Sequence, residues 1–246
     1  VTSPPYPEAR TDEQYGASFD TTVEGYGKLG DACFEALQPG GVCVLNIDGP
    51  IRVWRPELGE SERSLIAFKV AIDWAERTGF RYLEHGAYLR HGMAGRFGPR
   101  WRSGWEPVHV FARPGDDVYF DPAGYTVPAK TAGLMVSGGR GRTGNGWASS
   151  SSYEQPETRG LVTAFGGQPN QSGHPAPFSR VLSDAYVLCY SQPGDLVCDL
   201  FLGSGTVTRT CHRHGGRFVG GDFGVRVDGR RWSDLALVAV RRGTLF

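Results

Sequence analysis

Asp195-Leu196-Val197-Cys198-Asp199-Leu200-Phe201-Leu202-Gly203-Ser204-Gly205-Thr206-Val207 joins three signals in one run. Leu196 to Leu200 supply an apolar run that reads as a short buried strand. Gly203 and Gly205 follow, and residues without a Cβ let the backbone turn tightly and approach a ligand. Thr206 to Cys211 then open a helix whose first N–H groups point at that ligand. Downstream, Arg217-Phe218-Val219-Gly220-Gly221-Asp222 predicts a second strand ending in a carboxylate. A glycine turn after one strand and an acid after the next is how an α/β sheet holds a nucleoside, the acid taking the ribose hydroxyls. A purely structural turn would use the same glycines, so this stretch alone leaves both readings open.

Composition narrows the class. The chain has 246 residues, enough for one domain with an inserted lobe, and 39% hydrophobic residues, enough for a sizeable core. Lys+Arg 26 balance Asp+Glu 26, so there is no global basic signature of nucleic-acid binding, although local patches still count. Gly 36 and Pro 16 predict long loops. Cys33, Cys43, Cys189, Cys198 and Cys211 form no CxxC pair and lie mostly in apolar runs, which predicts buried free thiols in a reducing cytosol. Cys211, His212 and His214 lack a second ligand cluster, so no metal site is expected. No apolar run approaches the length of a membrane span. The chain opens on Val1, in what looks like the end of a strand, and a preceding piece is expected.

Ser3-Pro4-Pro5-Tyr6 is the second informative stretch. Two prolines fix φ and remove two N–H donors, leaving the Ser3 and Pro4 carbonyls free to accept in a rigid loop. Tyr6 adds a flat aromatic face. A planar ring with an exocyclic amino group would fit, donating to the oxygens while stacking on tyrosine; an ordinary Pro-Pro turn with a packed tyrosine is the structural alternative.

Thr-Ser-Pro-Pro-Tyr near the start, with Asp-Leu-Phe-Leu-Gly-Ser-Gly-Thr much later, resembles the amino-group DNA methyltransferases that use S-adenosyl-L-methionine. The order, catalytic motif first and cofactor loop last, is similar to the permuted beta group. His174-Pro175-Ala176-Pro177-Phe178 and Pro193-Gly194-Asp195 resemble the segment leading into that loop, and Trp105-Glu106-Pro107-Val108-His109-Val110-Phe111 resembles a strand late in the catalytic half. The resemblance covers nearly the whole chain. It implies an α/β fold of the Rossmann-like class I type, with a central mixed, mostly parallel sheet, helices on both faces and an irregular DNA-recognition insertion. It implies catalytic residues Ser3, Pro4, Pro5 and Tyr6, and a cofactor site at Asp199, Phe201, Gly203, Ser204, Gly205, Thr206 and Asp222, with His174 and Phe178 beside the methionine moiety. It further implies DNA as partner, no membrane, a cytoplasmic setting, and compatibility with a homodimer and a cognate restriction enzyme. Serine at the first position of the tetrapeptide leans, within the family, towards cytosine N4 over adenine N6. No Pro-Cys nucleophile is present, which argues against methylation at cytosine carbon 5.

The rest of the chain divides accordingly: 1–121 as the catalytic half, 122–173 as an irregular target-recognition region, and 174–246 as the cofactor half. In the first third, helices at Val23–Leu37 and from Ser61 to about Thr78 alternate with strands at Val42–Ile47 and Phe80–Leu89, the signature of an α/β sheet. Arg90, His91, Arg96, Arg100, Arg102 and Arg113 interleave with Phe97, Trp101 and Trp105, with Glu106 the lone acid. Basic residues among aromatics suit phosphates and unstacked bases, although a solvated loop would look similar. Trp105–Ala112 predicts a strand, continued as a hairpin over Asp116–Phe120. Residues 122–173 show no sustained period; Arg140 and Arg142 lie in a Gly-rich run there and, given the resemblance, are assigned to DNA. A helix at Phe178–Tyr190 and a last strand at Leu235–Val240 complete the pattern.

Two rival classes bear on the same residues. An NAD-dependent oxidoreductase would want G-x-G-x-x-G, but Thr208 stands three residues after Gly205. A non-catalytic DNA-binding protein need not keep Ser3-Pro4-Pro5-Tyr6 intact. The methyltransferase reading makes a geometric demand: Tyr6 and Gly203 must lie on the rim of one cleft, at the carboxyl ends of neighbouring strands, despite their distance in sequence.

Overall fold

The computed structural model describes residues 1–6, 20–49, 53–57, 59–90, 103–128, 135–136, 140–143, 146–149, 153–154, 158–160, 164–166, 178–221, 226–227 and 230–231. Their elements run α1 (Val23–Ala36), β1 (Val42–Asn46), β2 (Val53–Arg55), β3 (Glu60–Glu62), α2 (Ile66–Arg77), β4 (Arg81–Leu89), β5 (Trp105–Ala112), β6 (Thr126–Pro128), β7 (Met135–Val136), β8 (Arg140–Thr143), β9 (Gly146–Ser149), β10 (Tyr153–Glu154), β11 (Thr158–Gly160), β12 (Ala164–Gly166), α3 (Arg180–Tyr190), β13 (Leu196–Asp199), α4 (Thr206–His214), β14 (Arg217–Gly220), β15 (Arg226–Val227) and β16 (Arg230–Arg231). Val1–Asp121 with Thr163–Phe246 make one compact unit, and Pro122–Val162 make a second.

The first unit carries a mixed sheet. β5 pairs antiparallel with both β1 and β4, and β12 adds to β4 in parallel. Val108, Val110, Phe111 and Ala112 of β5 are fully buried, as a central strand covered on both faces should be. β13 and β14 pair in parallel; β13 is not the buried strand its apolar run suggests, since Leu196 and Cys198 are exposed and Asp199 is its buried residue. Residues 1–2 join the two groups. Thr2 N–H donates to the Val44 carbonyl (2.9 Å) and the Thr2 carbonyl accepts from Asn46 N–H (3.0 Å), a parallel bridge to β1. On the other side the Val1 nitrogen donates to the Cys198 carbonyl of β13 (3.1 Å). The run is therefore β14, β13, residues 1–2, β1, β5, β4, β12.

α1 starts at Thr22, whose hydroxyl accepts from Gly25 N–H (3.1 Å), a side-chain cap that satisfies one of the orphan amides. Two hydrogen bonds from Thr22 to Asp20 hold the Asp20 carboxyl below its ordinary range. α2 lies close against α1: the Trp74 indole packs on Gly30, and its Nε1–H donates to the Tyr26 carbonyl (2.8 Å). Trp74, Phe80 and Phe111 meet at centroid distances of 5.2–5.8 Å and, with Tyr26, Leu45, Ile47 and Val70, form the core beneath β1 and β5. α3 and α4 pack together, Thr210 Oγ1 donating to Asp184 Oδ1 (2.7 Å), and Phe165 of β12 meets Tyr186 of α3 at 5.2 Å.

The structure departs from the sequence reading in three places. The helix expected from Ser61 begins at Ile66, because Glu60–Glu62 pairs with Val53–Arg55 as a hairpin closed by an Arg55–Glu62 ion pair. Asp116–Phe120 forms no strand. Residues 122–162 contain short antiparallel ladders (β6 with β11, β7 with β10, β8 with β9), and Ala164–Gly166 serves the sheet of the first unit. Strands of two to four residues are too short to print a period on the sequence. Leu235–Val240 lies outside the described residues. No described helix is long and apolar enough to cross a membrane.

Candidate active site

The carboxyl ends of β13, β1 and β4, and the start of the antiparallel β5, share one edge of the sheet. Ser3-Pro4-Pro5-Tyr6 leaves the strand position of Thr2 at that edge. Thr2 is buried, and its Oγ1–H donates to Asp199 Oδ1 (3.0 Å) across to β13. Tyr26 of α1, fully buried, donates its hydroxyl to the Pro5 carbonyl. Tyr6 donates to Glu106 Oε2 (2.7 Å) and faces Asn46 Oδ1 (3.3 Å). The loop is thus held at Thr2, Pro5 and Tyr6. Among the described residues none donates to the carbonyls of Ser3 or Pro4. Burial, then the Glu106 carboxylate, push the Tyr6 phenol well above its ordinary value; the hydroxyl stays protonated and stays a donor.

The glycine turn lies on the adjoining strand. Gly203 and Gly205 both have positive φ (49° and 74°), a region L side chains avoid. Gly205 is the N-cap of α4 and supplies no side-chain bond to the first-turn amides, which have no intrahelical acceptor either. Asp199 holds the turn, its Oδ1 also accepting from Phe201 N–H (3.1 Å). Ser204 and Thr206 are buried with their hydroxyls 3.2 Å apart. Leu202 N–H donates to the Gly221 carbonyl (2.8 Å) and Gly221 N–H to the Asp199 carbonyl (3.1 Å). The end of β14, the residue before Asp222, is therefore tied to the turn. Helix amides with no acceptor among the described residues, a turn that favours glycine and two adjacent parallel strand ends fit a nucleoside with a polar tail. Tyr6, Leu200 and Phe201 all pack against the same apolar cluster.

Residues 1–224 match the N6/N4 DNA methylase family. The chain belongs to that family. Among solved structures it is similar to the PvuII DNA methyltransferase (cytosine-N4-specific), at TM-score 0.63 and 16% identity over 98% of this chain and 83% of that one. It is also similar to a Thermus thermophilus protein described as a putative DNA modification methylase, solved with S-adenosyl-L-methionine (TM-score 0.61, 20% identity, 98% and 84% covered). A third is the M1.HpyAVI complex with its cofactor (TM-score 0.53, 16% identity, 99% and 87% covered). At these identities the likeness is one of fold. No curated protein sequence matches.

In this methylase the edge also carries a charged network that the motifs do not announce. Arg90, just after β4, donates from Nε to Glu106 Oε1 (2.9 Å) and from a terminal nitrogen to Asp48 Oδ2 (2.6 Å). Arg63 donates to both Asp48 oxygens (3.0 and 3.2 Å). Sequence groups Arg90 with a DNA-facing basic stretch; in the structure two carboxylates engage it. Arg113 of the same stretch donates to the Glu35 and Leu37 carbonyls and lies 5.1 Å over the Phe34 ring, closing the end of α1. A lone acid amid basic residues, Glu106, is the only sequence signal of the network.

Other expected site residues are dispersed or undescribed. Phe178 is partly buried two residues before α3. Arg140 and Arg142 belong to β8 in the second unit. His174, Asp222, Arg96, Arg100 and Arg102 lie outside the described residues.

Proposed function

We propose that this methylase transfers a methyl group from S-adenosyl-L-methionine to an exocyclic amino nitrogen of DNA, with cytosine N4 favoured over adenine N6. The observation that supports the reading is the join between residues 1–2, which lead into Ser3-Pro4-Pro5-Tyr6, and the end of β13, which leads into the Gly203–Gly205 turn: Val1 to Cys198 at 3.1 Å and Thr2 to Asp199 at 3.0 Å. When bound, S-adenosyl-L-methionine supplies an electrophilic methyl group. The Gly203–Gly205 turn and the first amides of α4 would hold its polar tail, with Phe201 beside it, and Asp222 would accept from the ribose hydroxyls. By the resemblance, the His174–Phe178 segment would hold the methionine moiety. The target base leaves the helical stack to reach the edge.

An amino nitrogen of a base is a poor nucleophile because its lone pair is delocalised into the ring. The Ser3 and Pro4 carbonyls would accept from the amino hydrogens and favour pyramidal nitrogen, stabilisation that grows as the nitrogen–carbon bond forms and the methyl–sulfur bond breaks, one amino proton then leaving to solvent. Tyr6 stacks on the base. Arg96, Arg100, Arg102, Arg140 and Arg142 engage phosphates. Serine at the head of the tetrapeptide supports cytosine: it is short, and its hydroxyl can also donate to a ring nitrogen.

The test is nucleoside mass spectrometry of DNA treated with the enzyme. N4-methylcytosine is expected; N6-methyladenine alone overturns the base assignment. Tyr6→Ala is expected to lower methyl transfer at least about a hundredfold while calorimetry still detects cofactor binding. Near-wild-type transfer by that variant overturns the catalytic assignment.

A further inference from the structure

Resting on that reading, we propose that Glu106 is a positioning residue for methyl transfer, orienting the Tyr6 ring from the head of a network that runs through Arg90 to Asp48 and Arg63. The network draws on separate segments that converge on one edge: the tetrapeptide, the end of β1, the stretch before α2, the end of β4 and the start of β5. Each link is a charged or charge-assisted hydrogen bond, the short and strong kind: Tyr6 to Glu106 at 2.7 Å, Arg90 to Glu106 at 2.9 Å, Arg90 to Asp48 at 2.6 Å, Arg63 to Asp48 at 3.0 Å. Asn46 completes the seat. Its Nδ2–H donates to the Pro107 carbonyl (3.1 Å), which turns its Oδ1 towards the Tyr6 hydroxyl.

Asp48 is 4% exposed and Glu106 16%. Two carboxylates and two guanidiniums taken from water gain little stability over apolar side chains of the same shape. What such a cluster supplies is direction. Tyr6 has a single O–H, its ring is carried on a loop rather than on an element, and the Ser3 and Pro4 carbonyls lie shortly before it in the chain. Fixing the para position of the ring fixes the plane on which a base stacks, and a small misplacement of such a plane is costly in rate. Glu106 therefore acts through Tyr6 rather than on the substrate.

The test is a double-mutant cycle on kcat for methyl transfer to DNA, with cofactor affinity measured by calorimetry. Tyr6→Phe and Glu106→Ala are each expected to lower kcat about tenfold and leave the cofactor Kd within about twofold. The double variant is expected to lose no more than the worse single, because both remove the same link. Glu106→Gln, which keeps an acceptor oxygen, is expected to recover most of kcat. Multiplied losses in the double variant, or wild-type kcat in either single, overturn the proposal. Should Glu106→Ala not fold, Glu106→Leu keeps the volume and serves the same cycle. A wild-type enzyme that methylates no DNA overturns the function reading itself; an active wild type with multiplied losses overturns only the role of Glu106.

Discussion

His109 lies in the middle of β5, 2% exposed, with Tyr82 3.0 Å from Nδ1 and, among the described residues, no partner for Nε2. Burial, then the His85 charge, lower its pKa from 6.5 to about 4. The folded protein thus binds this proton more weakly than the unfolded chain. Stability is present above the unfolded value near 6.5 and is lost as pH falls towards 4, by about 3 kcal/mol over that window. His109→Phe keeps the ring and removes the proton, so its urea midpoint should fall less than the wild type's between pH 7.5 and 5. Parallel pH curves for the two proteins would refute the assignment. The same scale explains what the sequence conceals about Arg90 and Arg113. A guanidinium in a basic, aromatic stretch suits phosphate, yet these two are engaged by carboxylates, carbonyls and a phenyl ring from segments remote in the chain. No local pattern records such partners.

The α1–α2 pair turns on one glycine. A Cβ built on Gly30 would stand 2.6–2.8 Å from the Trp74 indole, and Trp74, fully buried, cannot back away without losing its bond to the Tyr26 carbonyl. Alanine is the better helix former by about 1 kcal/mol, but the overpacking it brings costs about 1–3 kcal/mol. Gly30→Ala is therefore expected to lower the melting temperature, and a variant that melts higher would mean that the contact yields freely. Elements with a strong local signature are legible in the sequence. The apolar run of β13 and its glycine turn, the Pro-Gly stop after α1 and the buried strand Val42–Asn46 are recorded in neighbouring residues. The β2–β3 hairpin is not, because Ser61-Glu62-Arg63 also suits a helix start and only the cross-strand ladder to Val53–Arg55 decides between them. The tetrapeptide and the turn are visible as separate motifs. Glu106 is not visible as a partner of Tyr6, since 100 residues separate them.

At the scale of the molecule, the sheet is completed by residues 1–2 between β13 and β1. Thr2→Val keeps the shape and deletes the donor to Asp199, which is 3% exposed. A buried carboxylate short of one donor costs about 1.5–3 kcal/mol. Because Asp199 also holds Phe201 N–H, cofactor affinity is expected to fall together with the urea midpoint. Full retention of both would show the join to be passive. The arrangement also sets a timetable for a growing chain. Residues 1–2 can pair with β1 as soon as Asn46 is available, yet their other neighbour is separated by 197 positions. At translation rates of roughly 5–20 residues per second, the strand position that leads into Ser3-Pro4-Pro5-Tyr6 waits roughly eight to thirty seconds with one side unpaired, and an unpaired strand side is a template for the wrong partner. The centre of this sheet is begun early and closed late, so the Ser3-Pro4-Pro5-Tyr6 loop acquires its second wall only once β13 has been made.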